Sequence, residues 1–201
     1  MNDILAKLDA LPSLRVMDVE YVHVAMDNGD DLYVTALGLP WLAQLLPGNY
    51  WTDAAWFAAH NQRLSGTSTL YRIQTKPVGG RPRDIVLKWN RMGQDIPGET
   101  QVHELEGAEF NSPFEEFAIA LELSQKGIET TYPRAIYMTG RRSTVSASLV
   151  DHSRYESHAD FLTPDGEPIL SRDHEYLSIW GYWTGPDEAM AARDEPMYKG
   201  I

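Results

Sequence analysis

The residues best suited to chemistry gather in one stretch of the chain. From Arg63 to Arg91 lie seven bases (Arg63, Arg72, Lys76, Arg81, Arg83, Lys88 and Arg91) and one acid, Asp84. The stretch carries +6 in a chain of net charge −12, so the remainder carries −18. A basic island in an acidic protein can hold an anion. Solvated strand charges paired with the acidic remainder would give the same pattern. Within the island, Ser65-Gly66-Thr67-Ser68 reads as a turn. Gly66, lacking a Cβ, lets backbone amides come close to an anion there.

Other chemistries find less support. None of the six histidines lies in a His-Glu-x-x-His zinc pattern. His152 and His158 with Asp151 and Asp160, or His103 with Glu104, Glu106 and Glu109, could gather an ion, but solvated loops explain both groups. Asp27-Asn28-Gly29-Asp30 lacks the spaced ligands and closing glutamate of a calcium loop and reads as a hairpin turn. The chain has no serine-hydrolase elbow, full Walker loop or dinucleotide fingerprint. The absence of cysteine excludes disulfides, thiolate metal sites and a cysteine nucleophile, and fits a cytoplasmic location. The negative net charge argues against nucleic acid and anionic lipid as partners. No apolar run is long enough to span a bilayer.

Elements must position these groups. Residues 3–11 read as a short helix, and 14–26 and 31–37 as two strands of a hairpin. Pro40 opens a short helix stopped by Pro47-Gly48. Thr52 or Asp53 caps a second helix through Gln62. Trp41, Trp51 and Trp56 fall here and read as core. Residues 67–75 and 84–90 are strands joined by the turn-rich KPVGGRPR. Ser112, Pro113 and Glu115 form a capping box that starts a helix running to about Lys126, and Gly127 stops it. Pro133 leads into a strand, residues 144–150 suggest another, Pro164-Asp165-Gly166 is a turn, and 175–183 is an apolar buried strand. Residues 186–199 are compatible with helix. The fold class expected is α+β: a twisted antiparallel sheet with one packed helix, preceded by an N-terminal hairpin and helical extension.

The middle elements come in a telling order. A Gly-containing turn between strands is followed by a strand ending Val86-Leu87-Lys88. Next come a helix with glutamates near its start, a strand, and a second apolar strand. This order resembles the small lobe of protein-kinase-like folds. The passage FEEFAIALELSQKGIETTYPRAIYM is most similar to bacterial lipopolysaccharide kinases and related small-molecule kinases, where a pairing glutamate opens the helix, Gly-Ile follows its end and a Pro introduces the next strand. Gly127-Ile128 and Pro133 take those places. The resemblance covers roughly residues 62–185 and implies a nucleotide-binding lobe for ATP and Mg. Lys88 would reach the α- and β-phosphates and Glu116 would hold Lys88 extended, since Glu115 is occupied by the capping box. Ser65, Gly66, Thr67 and Ser68 would cover the phosphates. Glu175 to Trp183 would lead to the adenine-binding hinge. Only Gly66 stands for the three glycines of the usual loop, and residues 141–174 would be an insertion.

The same resemblance sets out what should be missing. A catalytic-loop Asp, a metal-binding Asn and an Asp-Phe-Gly motif should follow the hinge. About eighteen residues follow Trp183, and neither Asp187 nor Asp194 has such a context. Asp160-Phe161-Leu162 precedes the hinge. The expectation is a lobe cut before its large partner, or else a natural half-fold, with no catalytic residue and little or no activity alone. Its domains would be an extension at 1–61, the lobe at 62–185 and the start of a post-hinge helix at 186–201. A missing large lobe would leave an apolar face uncovered near Ile179 to Trp183 and drive self-association. The competing expectation is a non-catalytic α+β interaction domain that binds another protein and no nucleotide.

Overall fold

The computed structural model describes residues 10–66, 68–94, 111–140, 149 and 151–182. Eight strands are present among them: β1 (Ser13–Val16), β2 (Val19–Ala25), β3 (Asp31–Thr35), β4 (Asn61–Arg63), β5 (Leu70–Gln74), β6 (Asp84–Asn90), β7 (Pro133–Met138) and β8 (Tyr176–Gly181). The α-helices are α1 (Leu42–Leu45), α2 (Ala54–His60), α3 (Pro113–Gln125) and α4 (Ser153–Ser157). All eight strands form one antiparallel sheet in the order β1-β2-β3-β7-β8-β6-β5-β4. The fold is α+β, as expected.

Local chemistry explains most elements. Asp53 caps α2 by accepting from the Trp56 amide at 3.0 Å. The α3 capping box is complete: Ser112 Oγ accepts from the Glu115 amide at 3.1 Å, and the Ser112 amide donates to Glu115 Oε2 at 2.6 Å. Gly127 then takes φ +77°, the left-handed conformation that ends helices. In the β2–β3 turn, Gly29 adopts φ +84°. Asp30 does not serve as part of an ion site there. Its carboxylate accepts from Asn28 Nδ2, Tyr137 Oη and the Gly140 amide, which fastens the turn to the end of β7.

Three expected elements change. Residues 14–26 are not one strand, because Met17 and Asp18 both take positive φ (49° and 64°) and fold the segment back as the β1–β2 hairpin. Such a turn matches the twist of its flanking strands, but it normally uses Asn or Gly. The second helix ends at His60 rather than Gln62. Asn61 Nδ2 donates to Phe57 O at 2.7 Å, and the chain leaves as β4 to pair with β5. The expected strand at 67–75 is regular only over Leu70–Gln74. Residues 1–9, most of 144–150 and all of 186–199 lie outside the described residues.

Both faces of the sheet are covered at its centre. On one, α3 packs on β7 and β8, with Phe114 and Phe117 among Tyr21, Tyr33, Ile136, Tyr176 and Trp180. Phe117 meets Trp180 edge-on at 4.6 Å between ring centroids. Tyr155, Ile169 and Leu170 extend the same cluster. On the other face, Leu42, Leu45, Leu46 and Tyr50 cover Val34, Leu87, Tyr137, Leu177 and Ile179. The expected uncovered apolar face at Ile179 to Trp183 is therefore absent over its described part. Tyr176–Gly181 are buried throughout, because the residues before β4 roof one side and α3 roofs the other. Trp183 lies outside the described residues.

Candidate functional site

Residues opposite one another in an antiparallel pair share a face. The register pairs Leu70 with Lys88 and Arg72 with Val86 across β5 and β6, and Lys88 with Ser178 and Val86 with Trp180 across β6 and β8. All of these side chains therefore lie on the α3 face. The helix covers β7 and β8, but Leu70, Arg72, Val86 and Lys88 are only half-buried. The result is a shelf of sheet beside the N-terminal turn of α3.

At the rim of that shelf Lys88 Nζ donates to Glu116 Oε1. Their side chains are 35% and 18% exposed, so the pair is shielded yet reachable. The local sequence dictates who pairs. Glu115 is held by the Ser112 amide and by Arg154 Nε at 2.9 Å, which leaves Glu116 as the carboxylate aimed at β6. The second oxygen of Glu116 accepts from Asn90 Nδ2 at 3.4 Å. Asn90 is itself fixed, since its Oδ1 accepts from the Ser178 amide at 3.1 Å and from Ser178 Oγ at 2.6 Å. Two strands thereby position one helical carboxylate. Asn90 was not singled out in the sequence, although its place two residues beyond Lys88 puts it on the same face of the strand.

The remaining site residues are placed unevenly. Ser65, Gly66 and Ser68 lie in the connection between β4 and β5, and Thr67 lies outside the described residues. A Cβ on Gly66 would meet nothing within 4 Å, so the backbone there is open to an incoming group. The Ser68 amide is already taken by Ser65 Oγ at 3.1 Å, which removes one donor from that loop. Arg72 ion-pairs with Asp84 at 2.9 Å and its guanidinium lies 4.3 Å from the Tyr182 ring centroid. The Asp84 contact raises its already high pKa further, so this cation on the shelf keeps its charge.

The basic island is largely engaged within the fold. Lys76 Nζ pairs with Asp53 at 2.7 Å, and that hydrogen bond holds the exposed Asp53 carboxyl below its usual range. Arg83 stacks 3.6 Å over Trp41, and Arg91 Nη2 donates to Thr69 Oγ1 at 2.7 Å. Trp41 thus has a cationic partner as well as a core role. Trp51 packs edge-on against Phe57 and Trp89, and Trp56 stacks on His60 at 3.7 Å.

The histidines expected to be loop residues divide. His158 is fully buried, with Nε2 at 2.8 Å from Ser112 Oγ and Nδ1 at 3.0 Å from Ser157 Oγ. Ser157 Oγ donates its proton to Arg154 O at 3.3 Å, so it accepts from Nδ1, and Nε2 is left to accept the Ser112 hydroxyl. Burial pushes the His158 pKa down, against the pull of nearby Glu115 and with the push of Arg154. Among the described residues no three His, Asp or Glu side chains are grouped to hold a metal ion, and no helix is long and apolar enough to cross a membrane. His103, Glu104, Glu106 and Glu109 lie outside the described residues. No protein-family model, curated protein or solved structure matches the chain.

Proposed function

We propose that the chain is the nucleotide-holding lobe of a kinase-like protein, with ATP and Mg as its ligands. The observation that carries this reading is the Lys88–Glu116 ion pair, which joins a sheet strand to the helix packed across that sheet. The strand order supports it. From β4 to β8 the neighbours run β4-β5-β6-β8-β7, so the lysine strand lies beside the last apolar strand, with α3 inserted in sequence between β6 and β7. In such a lobe Lys88 orients phosphates, Glu116 holds Lys88 extended, and a flat base rests on Val86 near the end of β8. Phosphoryl transfer would further need a carboxylate to accept the acceptor's proton and a set of metal ligands.

The test is a titration of the chain with ATP and Mg followed by calorimetry and by amide chemical shifts. Binding should move the resonances of Gly66, Val86, Lys88 and Tyr182. Lys88→Ala should weaken it about tenfold or more, the effect of losing one charged hydrogen bond of about 1.5–3 kcal/mol. Equal binding by Lys88→Ala sinks the proposal, and so does silence of the wild-type chain at millimolar nucleotide.

A further inference from the structure

The segment 151–170 touches α3 and the chain just beyond the end of β6. On the β6 side, the Asp151 amide donates to Gly93 O at 3.2 Å, three residues beyond Asn90. The approach is so close that a Cβ on Gly93 would come within 2.1 Å of Asp151 O. Gly93 also has φ +69°, so only glycine fits comfortably. On the α3 side, Arg154 Nε pairs with Glu115 Oε2 at 2.9 Å, and His158 accepts the Ser112 hydroxyl at 2.8 Å. Ser112 and Glu115 are the two halves of the α3 capping box. Tyr155 adds apolar packing into the cluster that contains Phe114 and Phe117.

We infer that this segment is a positioning brace: it holds the end of β6 and the first turn of α3 at a fixed separation, and so keeps Lys88 and Glu116 paired without help from another protein. The inference rests on the proposed role of that pair as the nucleotide-orienting device. Glu116 follows Glu115 directly, so any rotation of the first helical turn moves both. His158 Nε2 and the Glu115 amide both bond Ser112 Oγ, so the buried ring and the capping box hold one another in place. Arg154 and His158 are thus positioning residues. They reach the site through Ser112 and Glu115.

The experiment reads Lys88 directly. The folded chain is treated briefly with an amine-acylating ester, and modification of Lys88 is followed by peptide mass spectrometry relative to Lys126, an exposed lysine at the far end of α3. Arg154→Gln and His158→Ala should each raise Lys88 modification about fivefold, the change given by about 1 kcal/mol of lost pairing. His158→Gln, which keeps an acceptor for the Ser112 hydroxyl, should return it towards wild type, and Glu116→Gln should match the two disrupted variants. Each variant is first checked by circular dichroism. If His158→Ala does not fold, Arg154→Gln, at a side chain 17% exposed, carries the test. Unchanged Lys88 modification in a folded Arg154→Gln overturns the brace. Because labelling needs no nucleotide, failure of the wild-type chain to bind ATP would refute the nucleotide reading and leave this result standing on its own.

Discussion

The Lys88–Glu116 pair makes a quantitative demand on stability. Two unit charges at about 4 Å attract by about 1 kcal/mol in water and about 4 kcal/mol at an effective dielectric of 20. Pairs of fully exposed side chains deliver only about 0.2–1 kcal/mol after ordering and screening. This pair is more shielded, at 35% and 18% exposure, and Asn90 already holds the carboxylate, so less ordering remains to be done. We therefore expect a coupling energy of about 1–2 kcal/mol. The assay is a double-mutant cycle of Lys88→Met, Glu116→Gln and the double variant, unfolded with urea. Raising salt to about 1 M should reduce the coupling without removing it, because partly buried charges are screened less. Single-variant effects that add to within about 0.5 kcal/mol would show that the two groups do not meet in solution, and the site described above would fall with them.

Other outcomes follow from the packing. Phe117→Ala empties a fully buried position and removes an edge-on contact with Trp180, and should cost about 3–5 kcal/mol in urea unfolding. Gly38→Ala would bring a Cβ within 2.0 Å of Arg134 O and should destabilise by about 3 kcal/mol or more, visible as a lowered melting temperature. His158 binds its proton less readily folded than unfolded, so its contribution is complete above about pH 6.5 and lost as pH falls from there through the depressed folded value. Wild type should lose stability relative to His158→Gln across that window, by at most about 1.4 kcal/mol per pH unit. A constant difference between the two would show that His158 is not the titrating group.

What could be read from the sequence was what neighbours along the chain decide. The α3 boundaries follow from Ser112, Pro113, Glu115 and Gly127, all within one turn of the helix ends. The same capping box left Glu116 as the carboxylate available to Lys88, and the structure joins those two. The extent of β6 follows from its apolar Ile85-Val86-Leu87 run directly after the turn-rich KPVGGRPR. What stayed hidden depends on distant partners. The Met17-Asp18 turn uses residues that do not advertise positive φ, and only the β1–β2 pairing holds them there. Asn61–Arg63 is polar throughout and becomes a strand because β5 lies beside it. The His152–Asp160 region looked like a solvated loop, since nothing local shows that His158 meets a serine forty-six residues earlier.

The order of strands has a consequence for how the protein is made. Among the described residues β7 and β8 are the last strands in sequence, and they take the middle of the sheet, between β3 and β6. During synthesis β1–β3 and β4–β6 can each form early as separate three-stranded pieces. Each then presents a free edge: β3, which later receives β7, and β6, which later receives β8. Roughly a hundred residues separate Thr35 from Pro133, whose carbonyl accepts the Thr35 hydroxyl in the finished protein. At about 5–20 residues per second of translation, the β3 edge stays open for about 5–20 s. An open edge is a template for any passing strand. Aggregation in the cell should thus depend on the rate of elongation between β3 and β7 more than on the stability of the completed sheet.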